Sequence, residues 1–284
     1  MHDRAGPSPP DRFWTRPDLL GVNRLEARPP HLPFPDESGA RSGDRTDSPW
    51  FRSLDGRWRF LLVDRPESSP AGWAEPDHDD GAWKRVQVPG NWTLQNVGDG
   101  PHYTNVIMPF EGEPPEVPDE NPTGLYRRTF RLPRGWSGRR TILHVGGAES
   151  VVSVWVNGEF VGMGKDSRLP GEFDIGPWLR AGPNVLGLQV IRWSDASWIE
   201  DQDHWWMAGL HREVYLRSQG RPALGAVSVT AGLARPDPGA PVQTGIISIE
   251  ATVDDPDALQ PGWTVQARVE EWDRPATTVF DTTG

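Results

Sequence analysis

Cysteine and long apolar runs are both missing from the 284-residue chain. Without cysteine the chain can form neither a disulfide nor a thiolate metal site, and it has no cysteine nucleophile. No run of about 18 apolar residues is available for a transmembrane helix, and the first residues show no apolar segment typical of a secretory signal. These features predict a cytoplasmic protein that does not engage a membrane.

Positive charge is in the minority, because 29 Lys and Arg residues stand against 40 Asp and Glu residues and the formal net charge is −11. This balance argues against nucleic acid as the main partner. Tyrosine is rare, with 3 residues, whereas tryptophan reaches 15. Tryptophan serves both aromatic cores and sugar-stacking surfaces, and since it is buried in most proteins we expect most of these residues in the core or at its rim.

The turn-forming residues, 31 Gly and 30 Pro, are too numerous for a mostly helical chain. Short segments of alternating or continuous apolar residues lie between them, and the pair Asn157-Gly158 separates two such segments in the way typical of a tight β-hairpin. We therefore predict an all-β fold with a sandwich or barrel. The predicted strands lie within 57–62, 85–88, 125–132, 141–145, 151–156, 159–161, 185–193 and 212–216.

Three regions differ in pattern. Residues 1–50 are punctuated by proline and show no period, which indicates an extended arm that lies on a larger body or is partly disordered. Residues 51–218 hold the predicted sandwich, including a long irregular loop at 98–124 of the kind that is functional or disordered. Residues 219–284 alternate like an immunoglobulin-like sandwich, but they supply three or four strands where about seven are needed.

Two polar segments could carry chemistry. Segment 192–206 has four carboxylates, four tryptophans and one histidine, and carboxylates can bind a hard cation or accept hydrogen bonds from sugar hydroxyls. Spacing alone favours the alternative of a solvated acidic loop whose tryptophans anchor in the core. Segment 102–106 contains Asn105, which either recognises hydroxyls or holds a turn, its commoner role. The histidines match no metal-binding spacing. The sequence also has no phosphate loop, no dinucleotide fingerprint and no Gly-x-Ser-x-Gly motif, so no other site is predicted.

Several motifs stand out along the chain. They are Val-Pro-Gly-Asn-Trp at 88–92, Tyr-Thr-Asn-Val at 103–106, Glu-Asn-Pro-Thr-Gly at 120–124, Lys-Asp-Ser-Arg-Leu-Pro-Gly-Glu-Phe at 165–173, and Arg-Trp-Ser-Asp with Glu-Asp-Gln-Asp within 192–203. In their order and spacing they resemble the N-terminal part of glycoside hydrolase family 2 β-galactosidases. The resemblance covers about residues 13–216 well and the last segment loosely.

The resemblance implies a jelly-roll sugar-binding domain over 51–218, followed by an incomplete immunoglobulin-like domain over 219–284. In the family a TIM barrel follows, and its two glutamates hydrolyse terminal β-galactosides with retention of configuration. The family's acid/base belongs to an Asn-Glu pair, and no Asn in this chain precedes Glu. A barrel needs about 250 residues. We therefore expect no catalytic residue and no TIM barrel within this chain.

Two site residues are implied by the resemblance. Asn105 matches the asparagine that contacts the galactosyl group, and Asp195 matches the aspartate that contacts galactose and ligates a sodium ion. The family's magnesium ligands come from the barrel and have no counterpart here.

The expected identity is thus the N-terminal sugar-binding portion of a β-galactosidase that is inactive alone. Its partners would be a β-galactoside, a catalytic barrel of the same or a complementing chain, and further copies of the parent in a homo-oligomer. The alternatives are a stand-alone carbohydrate-binding module and a complementing fragment of a split enzyme.

Overall fold

The computed structural model describes residues 8–105, 107–200, 202–234, 244–255, 257, 259–271 and 274–283. The chain divides into two compact units. The first contains residues up to Ala27 together with Leu32–Ser218, and the second contains Arg28–His31 together with the residues from Gln219 onward. Across the described residues, no helix combines the length and apolarity that a membrane crossing requires.

Strands dominate the described residues. One short α-helix, α1, spans Glu37–Ser42 and stops at Gly43, which takes the left-handed conformation that suits glycine. Single turns of 3₁₀ helix lie at Phe13–Thr15, Arg45–Asp47, Pro66–Ser68, Trp92–Leu94, Gly176–Trp178 and Asp195–Trp198. The strands in chain order are β1 Gly21–Val22, β2 Phe51–Ser53, β3 Gly56–Val63, β4 Lys84–Val88, β5 Gly90–Asn91, β6 Thr123–Arg131, β7 Arg140–Val145, β8 Val151–Val156, β9 Glu159–Lys165, β10 Gly171–Asp174, β11 Pro183–Ile191, β12 Gly209–Leu210, β13 Val214–Gln219, β14 Ala223–Ala234, β15 Thr244–Asp254, β16 Gln266–Glu271 and β17 Arg274–Thr283.

The first unit is a β-sandwich, so the predicted all-β class is confirmed. Its larger sheet has the order β1-β9-β8-β11-β6-β3-β4, and its smaller sheet has the order β10-β7-β13-β2. Strands β5 and β12 form a short separate ladder. At the β8–β9 turn, Asn157 and Gly158 have φ angles of 55° and 91°, as a tight hairpin of this type requires.

The main apolar core of this unit contains residues from both sheets. Trp58, Tyr126 and Leu188 of the larger sheet belong to the same buried cluster as Phe173 and Leu216 of the smaller sheet. Eight of the tryptophans are buried among the described residues, in agreement with the expectation for this residue type. They are Trp14, Trp58, Trp73, Trp83, Trp92, Trp136, Trp193 and Trp206.

The larger sheet is also covered on its other face. Phe13 and Trp14, in the region expected to be an extended arm, are buried in a cluster with Val151 and Ile191. A second cluster at this sheet joins Trp73 and neighbouring residues to Leu125. Since both faces are covered, β8 and β11 are nearly continuous in apolar residues rather than alternating.

The described residues of the second unit form two antiparallel ladders. Strand β14 pairs with β15, and β16 pairs with β17. Arg28 donates to Asp254 at 3.0 Å and to the carbonyl of Gly225 at 2.6 Å, which attaches residues 28–31 to the first of these ladders. Apolar side chains of this ladder remain exposed, and those of Ile247 and Val229 are 46% and 61% accessible.

Candidate functional site

Segment 192–206 leaves the end of β11 and carries a single 3₁₀ turn at Asp195–Trp198. The backbone N–H of Ser194 donates to the Ser197 hydroxyl at 3.1 Å and fixes the start of this turn. Trp193 and Trp206 are buried, and their ring centroids are 5.3 Å apart. These two tryptophans therefore anchor both ends of the segment in the core, as the alternative interpretation of the sequence expected, whereas Trp205 is 54% exposed.

The long loop at 98–124 is tied to this segment at both of its ends. Asp99 accepts from Arg192 at 2.5 Å and from the Trp92 indole at 2.8 Å. Asn121 both donates to the carbonyl of Trp193 and accepts from its N–H, at 2.8 and 2.9 Å. The loop therefore forms one wall of the same region.

Asp195 is held by a buried ion pair. Its Oδ2 accepts from the Lys165 ammonium at 2.8 Å, and its Oδ1 accepts from the N–H of Ala196 at 3.0 Å. The Lys165 and Asp195 side chains are only 3% and 8% exposed. Burial lowers the pKa of Lys165, and the hydrogen bond to Asp195 opposes that effect. The carboxylate is thus fixed in position by a charge on the last residue of β9.

The motif at 165–173 folds against the same turn. Glu200 accepts from the backbone N–H of Ser167 at 3.0 Å and from its hydroxyl at 2.5 Å. Asp166, whose φ is 102°, accepts from the backbone N–H groups of Arg168 and Leu169. Two sequence motifs about 30 residues apart therefore form one polar surface through side-chain to backbone hydrogen bonds.

A cavity of about 680 Å³ opens at this surface. Apolar atoms contribute most of its wall, and Asp195 and Glu200 supply carboxylates. Such a combination of an apolar wall and a few polar groups is typical of a small-molecule site. The lining residues are Pro17, Leu20, Arg24, Pro114, Pro115, Lys165, Asp166, Asp195, Ala196, Trp198, Ile199 and Glu200.

Asn105 lies on the long loop at 98–124 and is exposed. Its loop is attached to the end of segment 192–206, since the Trp206 indole donates to the Thr104 hydroxyl at 2.8 Å and the Tyr103 hydroxyl donates to Asp203 at 2.7 Å. Asn105 is not among the residues that line the cavity beside Asp195. Val106 and Asp201, which belong to the motifs, lie outside the described residues.

Two residues at or beside the cavity carry no sign in the sequence of a site role: Lys165 lines the cavity, and Glu149 does not line it but contacts Arg168 of the 165–173 motif. Lys165 is the first residue of the 165–173 motif, and Glu149 belongs to none of the motifs. Glu149 is buried, accepts from Arg168 at 3.2 Å, and has its pKa raised by burial against the opposing effect of Arg168. Arg168 also contacts the His204 ring nitrogen at 3.2 Å. Only the folded chain brings these residues together, so no spacing rule could have found them.

The arrangement around Asp195 does not fit a sodium ion as it stands. The buried Lys165 ammonium already lies 2.8 Å from Oδ2 and neutralises the charge that a cation would otherwise compensate. Within the part of the chain that the structure describes, no group of three or more His, Asp or Glu side chains is placed to hold a metal ion. No step that depends on sodium is therefore assigned to these residues.

Comparison with known proteins gives a consistent family match. Residues 51–220 match the family model described as glycosyl hydrolases family 2, sugar binding domain. A protein named β-galactosidase from Psychromonas ingrahamii is 40% identical over 222 residues, which cover 78% of this chain and 21% of the relative. A protein of the same name from Vibrio cholerae is 41% identical over 209 residues, which cover 72% of this chain and 19% of that relative. This chain thus spans about a fifth of the length of these curated relatives.

Solved structures share the fold at lower identity. A Bifidobacterium dentium β-glucuronidase superposes with a TM-score of 0.60 and 21% identity, covering 82% of this chain and 39% of that one. A glycosyl hydrolase family 2 member from Bacteroides cellulosilyticus gives a TM-score of 0.60 and 17% identity, covering 83% of this chain and 29% of that one.

Proposed function

This chain belongs to glycosyl hydrolase family 2 through its sugar-binding domain, and from that premise we propose that it is the N-terminal sugar-binding portion of a β-galactosidase. The observation that carries the proposal is the buried Asp195 carboxylate at a cavity with an apolar wall, in a chain 40% identical to proteins named β-galactosidase. The substrate would be a terminal β-galactoside.

The proposed role of the chain is to bind and orient the sugar. Asp195 accepts one hydrogen bond at each oxygen, and a carboxylate has further lone pairs that can accept from sugar hydroxyls. Trp198 offers an aromatic surface in the same cavity. Asn105, on the long loop at 98–124, is exposed and has both donor and acceptor groups, which suits recognition of hydroxyl geometry.

The bond-breaking step would use residues outside these 284. Retaining hydrolysis needs two carboxyl groups about 5–5.5 Å apart, one as acid/base and one as nucleophile. A catalytic barrel on the same polypeptide or on a complementing chain would provide them, together with the ligands for magnesium. The complete enzyme would be a homo-oligomer in the cytoplasm, which size measurement and cell fractionation can check.

A domain replacement tests the proposal. The matching N-terminal segment of the Vibrio cholerae relative is replaced by this chain, and hydrolysis of a chromogenic β-galactoside is measured. We expect the assembled chimera to hydrolyse the substrate and the isolated chain to be inactive. Activity of the isolated chain after exclusion of contaminants would contradict the proposal, as would a chimera that assembles with a cooperative melting transition but has no activity.

Variants of the chimera then test the individual residues. Asp195→Asn keeps the shape but removes the charge, and we expect a decrease in kcat/KM of about 10- to 150-fold, the size of a charged hydrogen bond. Asn105→Ala removes neutral hydrogen bonds and should decrease it about 2- to 10-fold. The exposed Asp77→Asn is the matched control and should keep the parent value. Unchanged kcat/KM in Asp195→Asn would exclude Asp195 from sugar binding.

A further inference from the structure

The Lys165 ammonium is held by two oxygen atoms of the kinds that also ligate hard cations. Its Nζ lies 2.8 Å from the backbone carbonyl oxygen of Arg16 and 2.8 Å from Oδ2 of Asp195. A carbonyl and a carboxylate are the oxygen ligands that hard cations prefer in proteins. The ammonium therefore occupies a ligand set that could otherwise attract a free cation.

Backbone hydrogen bonds fix the position of Lys165. Gly21 of β1 pairs with Gly164 of β9, directly before Lys165. The Lys165 N–H donates to the carbonyl of Leu20 at 3.1 Å, and Arg24 donates to the carbonyl of Lys165 at 2.7 Å. The N-terminal segment thus brings the Arg16 carbonyl to the ammonium, and strand pairing holds both in register.

A lysine at position 165 is unusual for this chain. Of its 29 basic residues only Lys84 and Lys165 are lysines, and the others are arginines. An ammonium is a compact point charge on a flexible stem, whereas a guanidinium is a planar fork. Of the two groups, only the ammonium is as compact as a monovalent cation, so a lysine at position 165 can take the place of such an ion.

We infer that the Lys165 ammonium fills the cation position at Asp195, so that this chain orients its sugar-binding carboxylate with a built-in positive charge instead of a sodium ion. A sodium ion at the same oxygens would lie beside a like charge in a buried environment, where solvent screens little. Lys165 is thus a positioning residue. The consequence of this role of Lys165 for sugar binding rests on the proposed function, whereas the effect of Lys165 on sodium binding is independent of that function.

The first experiment compares the melting temperature of the isolated chain in equal concentrations of sodium chloride and choline chloride. We expect the same value in both salts. Titration of sodium followed by ²³Na relaxation should likewise show no binding that depends on Asp195. Sodium binding by the unmodified chain that disappears in Asp195→Asn would overturn the inference, and this measurement needs no other variant to fold.

The second experiment removes the ammonium in two ways. Lys165→Gln supplies a neutral amide, and Lys165→Met keeps the length without a polar group. In either variant that folds, sodium can approach the uncompensated carboxylate, and we expect melting to be about 2–4 °C higher in sodium chloride than in choline chloride. Lys84→Gln, which removes the other lysine and its 3.1 Å bond to the Val97 carbonyl, is the matched control and should show no sodium response.

Equal melting of folded Lys165→Gln and Lys165→Met in both salts would contradict the inference, because the vacated position would then have no affinity for a cation. None of these measurements uses a sugar or a hydrolysis reaction. Failure of the chimera would therefore refute the proposed function and leave the sodium result standing, and the reverse also holds.

Discussion

The two units of this chain differ in how far the apolar side chains of their strands are buried. In the first unit the larger sheet is covered on both faces, and Val151, Val154 and Leu188 are fully buried. In the second unit Ile247 and Val229 stand on a two-stranded ladder with about half of their side-chain surface accessible. An isolated two-stranded ladder is marginally stable in water. We therefore expect strands of similar sequence to differ widely in stability, because among the described residues only those of the first unit are buried under packed layers.

Amide hydrogen exchange should show the largest difference between the units. Amides of β8 should exchange only through openings that approach the global free energy of unfolding, about 5–15 kcal/mol. Amides of β15 should exchange through openings of at most about 3 kcal/mol, because little apolar surface holds that ladder closed. Both strands are measured in one sample, which serves as its own control. Equal protection of β8 and β15 in a monomeric sample would show that the second unit is stable as it stands.

Removal of one apolar side chain from each unit measures how much apolar packing stabilises that unit. Leu188→Ala opens a cavity in the main core and should lower the free energy of unfolding by about 2–5 kcal/mol. Ile249→Ala, at a side chain that is 37% exposed, should change it by less than about 0.5 kcal/mol. Urea denaturation followed by tryptophan fluorescence and circular dichroism provides both values. A similar loss in the two variants would mean that Ile249 packs as a core residue.

Acid should weaken the first unit through one buried carboxylate in its smaller sheet. Burial raises the pKa of Glu172, but hydrogen bonds from His144 at 3.1 Å and Arg217 at 2.9 Å outweigh this and lower it from 4.5 to about 2. The ionised form is favoured in the folded state. Its contribution is therefore complete above pH 4.5 and is lost as the pH falls towards 2, with a total of about 3 kcal/mol.

The measurement is the free energy of unfolding between pH 5 and pH 2.5 by urea denaturation. Glu172→Gln should have a lower stability at pH 5 and a flatter dependence on pH, because the group that titrates has been removed. The exposed Glu111→Gln is the control and should keep the parent slope. If the free energy of unfolding of Glu172→Gln depends on pH as steeply as that of the parent, other carboxylates cause the acid sensitivity.

Most segments of the candidate site could be predicted from the sequence, but the ion pair at its centre could not. Segment 192–206 and the 165–173 motif could be identified because their residues are neighbours in the chain, and the hairpin at 157–158 follows from two residues that tolerate positive φ. The ion pair of Lys165 with Asp195 joins residues 30 positions apart, and its third member is a carbonyl at position 16. A backbone carbonyl has no side-chain signature, so no motif could reveal this contact.

The sequence by itself determined the all-β class, the turns and the residue types available for sugar recognition, because turn chemistry and apolar periodicity are local properties. Tertiary structure alone decided that Phe13 and Trp14 of the N-terminal region pack on the larger sheet, that Asp99 and Asn121 tie down the long loop, and that Lys165 neutralises Asp195. Each of these depends on which distant segments share a buried space. In that space a charge without a partner is costly, so the fold supplies one.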